Sequence, residues 1–273
     1  MRDRLSREMS SRKPSIGFTL VELLVVIAVI AMLMAILLPA LRKARQLAQR
    51  VRCGSNLRQL AMGWRLYLDD NDGYFPARNR RNAHFYYGGW IGEQNEGNRY
   101  FNRIMRLDPN LPTPHQAEVF HCPGDHGGMP GASLRTKVFI RIGTSYVTNL
   151  LLIGDKRFSF AGWYSPMTAD TTALEDEVNN RLNSINSHNL GNHSQLLLMG
   201  DYGWYNQWKP TDVLTDEERQ VAEWHGRPNY YYMAFLDGHA AYLEIIRGLW
   251  VADEYTILPW KELYPVARKV QGE

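Results

Sequence analysis

Apolar residues run unbroken from Leu23 to Leu38, and Pro39, Ala40 and Leu41 follow directly. At a rise of about 1.5 Å per residue, this stretch matches a hydrocarbon core about 30 Å thick. Beyond it the pattern becomes periodic. Apolar side chains recur at Leu41, Ala44, Leu47, Ala48, Val51, Leu57, Leu60, Ala61, Trp64, Tyr67 and Leu68. That spacing predicts one helix running on to about Leu68, uniformly apolar at first and then amphipathic, with one face packed on a globular head. Pro39 removes one helix hydrogen bond and is expected to kink or loosen the helix there. Asp69, Asp70, Asn71, Asp72 and Gly73 read as a stop signal. Their alternative reading, a calcium loop, lacks the alternating ligands and terminal Glu of an EF-hand.

Past Gly73 the segments are short and rich in Gly, Pro, Asn and aromatic residues. Strands are predicted at Val138–Ile142, Ser145–Thr148, Ser194–Met199, Tyr230–Leu236 and His239–Ile245. Asp237 and Gly238, between the last two, form a hairpin signal. Short helices are expected after Thr172 and after Thr215, where Glu175 and Glu218 would complete capping boxes. The fold class is therefore α+β: a long N-terminal helix packed on an antiparallel β-sheet head. No internal repeat or low-complexity linker interrupts it.

Composition narrows the function classes. The 273 residues are 45% apolar and 22% charged, as in a globular chain. The net charge of +3 comes from the first 13 residues, where Arg2, Arg4, Arg7, Arg12 and Lys13 outweigh Asp3 and Glu8. A nucleic-acid-binding surface therefore gets no support from charge. Eight Trp and 15 Tyr suit an aromatic core. Carbohydrate stacking is the alternative, favoured if the Trp side chains cluster on an exposed face. Two cysteines, Cys53 and Cys122, read as separate thiols in a cytosolic protein and as a disulfide in an exported one.

The compartment turns on the N-terminal segment. Its one internal charge is Glu22, and a lone acid in a spanning helix costs on the order of 2–3 kcal/mol and usually has a partner. A secretory signal would carry its small-residue cleavage site after the apolar run. Here the small residue, Gly17, precedes it. A plain anchor accounts for the length but not for Glu22. Arg42, Lys43, Arg45, Arg50 and Arg52 follow the span, so both flanks are basic and the positive-inside count does not orient it.

The run Gly17, Phe18, Thr19, Leu20, Val21, Glu22 closely resembles the class III signal of type IV pilins and type II secretion pseudopilins. That resemblance implies cleavage between Gly17 and Phe18 by a prepilin peptidase, and N-methylation of Phe18 by the same enzyme's methyltransferase activity. It implies that Glu22 lies near the N-terminal amine of a neighbouring subunit and sets axial register. It also implies a single pass through the bacterial inner membrane, with a cytoplasmic leader, a periplasmic head and later incorporation into a pilus or pseudopilus. The expected organisation is a leader at 1–17, a transmembrane and filament-core helix at 18–41, its amphipathic continuation at 42–68 and a periplasmic head at 69–273.

Scattered head motifs resemble one bacterial branch of pilin-like proteins whose C-terminal regions carry a His…Asp-Gly signature. The matching residues are Cys53, Asn56, Leu57, Arg58, Gln59 and Leu60; Tyr74, Phe75 and Pro76; Cys122, Pro123 and Asp125; Ser145, Tyr146 and Asn149; then His225, Phe235, Asp237 and Gly238. The gap from His225 to Asp237 is slightly longer than usual in that branch. An exported head makes a Cys53–Cys122 disulfide the expected state. The competing reading is zinc held by His121, Cys122, Asp125 and His126, a cluster with one Cys and no matching second half.

His225, Asp237 and His239 would need a nucleophile to act as a hydrolase, and no Gly-x-Ser-x-Gly elbow occurs. The simpler expectation is a turn at Asp237–Gly238 with His225 hydrogen-bonded across it, and Asp201 as another turn residue. No Walker or dinucleotide motif is present. The expected function is assembly without catalysis or cofactor, as a pseudopilin-like subunit of a type II secretion-like fibre. Its partners would be prepilin peptidase, other subunits, an inner-membrane assembly platform and the lipid bilayer. The alternatives are a minor type IV pilin and a membrane-anchored carbohydrate-binding or enzymatic head.

Overall fold

A computed structural model describes residues 19–76, 85, 87–90, 92, 99–108, 114–129, 133–153, 172–182, 185–208 and 215–272. The chain divides into two compact units at Arg45/Gln46. Helix α1 spans Leu20–Asp70 and remains helical through Pro39. Among the described residues it is the one helix long and apolar enough to cross a membrane, and that apolar stretch is wholly unburied. Its start is fixed locally. The Thr19 hydroxyl accepts the Glu22 backbone N–H at 3.2 Å, and one Glu22 carboxylate oxygen accepts the Thr19 backbone N–H at 2.8 Å. This reciprocal arrangement satisfies two donors that a helix terminus leaves open.

In the second unit, Cys53, Leu57, Leu60, Ala61, Trp64 and Leu68 of α1 are buried against the head. Two glycines permit the close approach. A Cβ on Gly54 would lie 2.8 Å from the Tyr232 ring, and one on Gly63 would lie 2.6 Å from Met105 Sδ. The helix stops where the polar run predicts. Gly73, at φ 80°, donates its N–H to the Leu68 carbonyl at 2.7 Å, closing the last turn.

The other helices are short. They are α2 (Tyr100–Ile104), α3 (Val138–Ile142), α4 (Leu150–Ile153), α5 (Thr172–Arg181), α6 (Asp216–Val221) and α7 (Tyr264–Gln271). Strands β1 (Tyr146–Thr148), β2 (Leu197–Asp201), β3 (Tyr230–Phe235) and β4 (Ala240–Glu244) form one sheet in the order β1-β2-β3-β4, antiparallel throughout. The layout is α+β and pilin-like. The β3–β4 hairpin turns at Asp237–Gly238, with Gly238 at φ 96° and its N–H on the Phe235 carbonyl. Thr215 and Glu218 make the expected capping box at α6. At α5 the helix is present, and the side chains of Thr172 and Glu175 lie outside the described residues.

One predicted strand is a helix. Val138–Ile142 forms α3, because a five-residue apolar run fits either a buried strand or a buried helix and periodicity cannot choose between them. A distant side chain decides it. The Asp125 carboxylate accepts the N–H groups of Val138 at 3.0 Å and Phe139 at 2.8 Å, and so caps the first turn.

The core is aromatic. Trp64 packs against Phe101 with ring centroids 4.8 Å apart and is ringed by Tyr67, Phe75, Tyr87 and Tyr100. Trp204, Trp208, Trp224, Trp250 and Trp260 are also buried, and Trp90 is half-buried. Trp163 lies outside the described residues. No exposed tryptophan face exists among the described residues, which removes the observation a carbohydrate-stacking surface would need.

Candidate functional site

Gly17 and Phe18 lie outside the described residues, which begin one position later. Thr19 and Glu22 are exposed, and Thr19 donates both its N–H and its hydroxyl to the same Glu22 oxygen, at 2.8 and 2.7 Å. The acid that the sequence singles out therefore has a partner within its own chain. Its carboxylate is held at the helix start by Thr19.

Two apolar surfaces on α1 have no cover among the described residues. One is the run from Leu20 to Leu41, exposed at every large apolar position. The other lies in the head unit, where Leu47, Val51, Met62 and Leu66 are each about 60% exposed on the helix side opposite Leu57 and Trp64. Aliphatic side chains left in water at helical spacing mark an interaction face.

Head residues from the sequence motifs are largely spent on fastening α1 and the sheet. Cys53 and Cys122 are bonded to each other across a separation of 69 residues. One turn further along α1, Asn56 donates to the His121 carbonyl at 2.9 Å and to the Tyr146 hydroxyl at 3.3 Å. One turn earlier, Gln49 donates to the Pro123 carbonyl, and Arg50 donates to the His225 carbonyl. Asn149 donates to the carbonyls of Leu197 and Ile257, both at 2.9 Å.

The zinc cluster read from His121, Cys122, Asp125 and His126 is not assembled. Cys122 is in the disulfide. Asp125 is fully buried and accepts from Gly127 N, Val138 N, Phe139 N and the Ser145 hydroxyl. Burial pushes its carboxyl pKa up, and those four donors oppose the shift. His126 Nδ1 faces the Gly124 carbonyl at 2.7 Å. His121 stacks on Phe139 at 4.6 Å, and burial lowers its pKa, with Lys137 adding to that and Glu118 opposing it. The acidic run at Asp69–Asp72 is an exposed helix end.

His225 is placed differently from the expectation. It does not bond across the Asp237–Gly238 turn. Asp237 instead pairs with His239, Oδ1 to Nδ1 at 2.6 Å, on the exposed hairpin. His225 is buried, and its Nε2 lies 3.1 Å from Asp201 Oδ2 and 3.6 Å from Cys122 Sγ. Asp201 is correspondingly no turn residue. It ends β2, is 1% exposed, and accepts the Tyr232 N–H at 2.8 Å. Sequence reasoning missed this pair because the partners are 24 residues apart with no shared motif. The available signal was a carboxylate closing an apolar run, Leu196–Met199 then Gly200 and Asp201.

Residues 12–38 match the family described as the prokaryotic N-terminal methylation motif. No curated protein and no solved structure matches the chain. With that motif, the long apolar N-terminal helix and the antiparallel sheet behind it, the protein is consistent with the type IV pilins and pseudopilins. The motif implies processing by prepilin peptidase and assembly with other pilin subunits, and the unburied apolar helix fits membrane anchoring.

Proposed function

We propose that the chain is a pseudopilin-like structural subunit, cleaved between Gly17 and Phe18, methylated on Phe18 and assembled into a type II secretion-like fibre. The observation that carries this reading is the methylation motif lying on an apolar helix whose surface none of the described residues buries. The leader, residues 1–17, stays in the cytoplasm. The helix crosses the inner membrane, and the head stands in the periplasm, where a disulfide is stable. An inner-membrane assembly platform lifts subunits out of the bilayer, and Leu47, Val51, Met62 and Leu66 then meet neighbouring subunits.

Glu22 sets the register in this scheme. Within the chain its carboxylate is held by Thr19, which pre-orients it. In the fibre it faces the ammonium at residue 18 of the next subunit, and in apolar surroundings such a pair costs several kcal/mol if one partner is removed. Glu22→Ala is expected to leave processing intact and abolish assembly. Immunoblots of the processed form, together with shear fractions of the fibre, check this. Normal fibre yield from the variant would overturn the role given to Glu22.

The head is structural in this reading. The residues that resemble a signature are engaged in fastening, and among the described residues no nucleophile is poised on His225 while the disulfide stands. The same N-terminal features serve a minor type IV pilin. Loss of protein secretion on deletion assigns the chain to a secretion fibre, and loss of surface fibres with secretion intact assigns it to a pilus.

A further inference from the structure

Four donors of three chemical kinds converge in the head, where the His225 ring meets Tyr232 and Tyr242 edge-on. Cys53 comes from α1, Cys122 from the loop before Pro123, Asp201 from the end of β2, and His225 from the loop before β3. All four are buried, and one donor atom from each lies within 4.8 Å of the others. Asp201 Oδ1 is buried with no hydrogen-bond partner among the described residues. An uncompensated carboxylate oxygen in such a place is costly. Nothing in the assembly scheme explains why an imidazole and a carboxylate are packed against a disulfide sulfur.

We infer that, when the disulfide is reduced, Cys53 Sγ, Cys122 Sγ, His225 Nε2 and the Asp201 carboxylate bind one zinc-class divalent ion. Disulfide and metal are alternative states of one site. The spacing supports this. Zinc bonds of about 2.3 Å to sulfur and about 2.0–2.2 Å to nitrogen or oxygen, arranged tetrahedrally, put donors about 3.3–3.8 Å apart. Nε2 stands 3.6 Å from Cys122 Sγ and 3.1 Å from Asp201 Oδ2, near those edges before any metal is present. The two sulfurs, once unbonded, need only move apart to the same spacing. Two thiolates, one imidazole and one carboxylate form a donor set that zinc accepts. Supporting contacts also exist. The Tyr232 N–H holds Asp201 Oδ2, and Arg50 holds the His225 carbonyl.

The exchange balances with a dithiol as the reductant. The dithiol passes two electrons and two protons to the S–S bond, which breaks into two thiols as the dithiol closes to its own disulfide. The metal then displaces both thiol protons to solvent and binds the thiolates. Either state ties α1 to the 122 loop. The metal additionally ties in β2 and the loop before β3.

The full-length chain in detergent tests this, with a trialkylphosphine as reductant so that no added thiol competes, and cobalt(II) as the probe. The reduced chain is expected to take up one cobalt with thiolate charge-transfer and tetrahedral d–d absorption, while the oxidised chain takes up none at the site. Cys53→Ser should lose the thiolate-rich spectrum. Asp201→Asn should still form the disulfide when oxidised, yet bind at least about tenfold more weakly when reduced. Zinc should raise the melting temperature of the reduced chain, or restore a cooperative melt if reduction alone unfolds it. A reduced chain that shows no such cobalt spectrum, or whose melt zinc leaves unchanged, would overturn the inference. Equal uptake by Cys53→Ser or by the oxidised chain would do the same.

Discussion

His121 and Asp125 stand four residues apart and handle burial in opposite ways. Asp125 surrounds its carboxylate with four donors and uses two of them to start α3. His121 has a buried Nε2 with no partner among the described residues, and its ring stacks on Phe139. Lys137 and Arg52 face it as cations, and Glu118 Oε2 lies 3.9 Å from its Nδ1. The fold therefore holds the neutral ring, and its pKa lies below the usual 6.5. A base with a lowered folded pKa contributes stability above its unfolded pKa, and that stability is lost as pH falls toward the folded value. Thermal melts between about pH 7 and about pH 5 should show the wild type losing more stability than His121→Phe, which keeps the stack and cannot charge. Parallel losses in the two proteins would show that His121 is not the group responsible.

At the scale of elements, the row Arg50, Cys53 and Asn56 makes α1 part of the head. The disulfide closes a loop across 69 residues, for which the chain-entropy model gives about 4 kcal/mol. Cys53→Ser should lower the denaturant midpoint by an amount equivalent to about that value, and reduction of the wild type in a metal chelator should match it. A midpoint unchanged by either treatment would mean that the side-chain bonds of Asn56, Gln49 and Arg50 suffice.

The elements also show what a sequence can and cannot reveal. α1 was legible from end to end, because its apolar period and its Asp-Asn-Gly stop are local signals. The β3–β4 hairpin was legible because Asp237 and Gly238 suit its turn. The disulfide partners were legible once export was inferred. The helix at Val138–Ile142 was not, because its cap, Asp125, lies 13 residues upstream of it. The Asp201–His225 pair was not, because only the sheet brings the end of β2 under the loop before β3. Each miss involves a buried polar contact between separate elements, which no local period encodes.

At the scale of the whole molecule, one helix carries two kinds of information. Its first half has an apolar surface that fits membrane anchoring. Its second half presents Leu57, Leu60 and Trp64 to the head and leaves Leu47, Val51, Met62 and Leu66 open. A chain that kept such surfaces in water would aggregate, so the account requires a membrane first and neighbouring subunits afterwards. In the proposed scheme the second step depends on cleavage between Gly17 and Phe18. That cleavage would create the amine proposed to pair with Glu22 of a neighbouring subunit.

Mass spectrometry of the N-terminus, on chain extracted from membranes of a host with active prepilin peptidase, tests this account most directly. The expected result is a mature chain beginning at Phe18 and carrying one N-methyl group. A chain that still begins at Met1 in that host would contradict it.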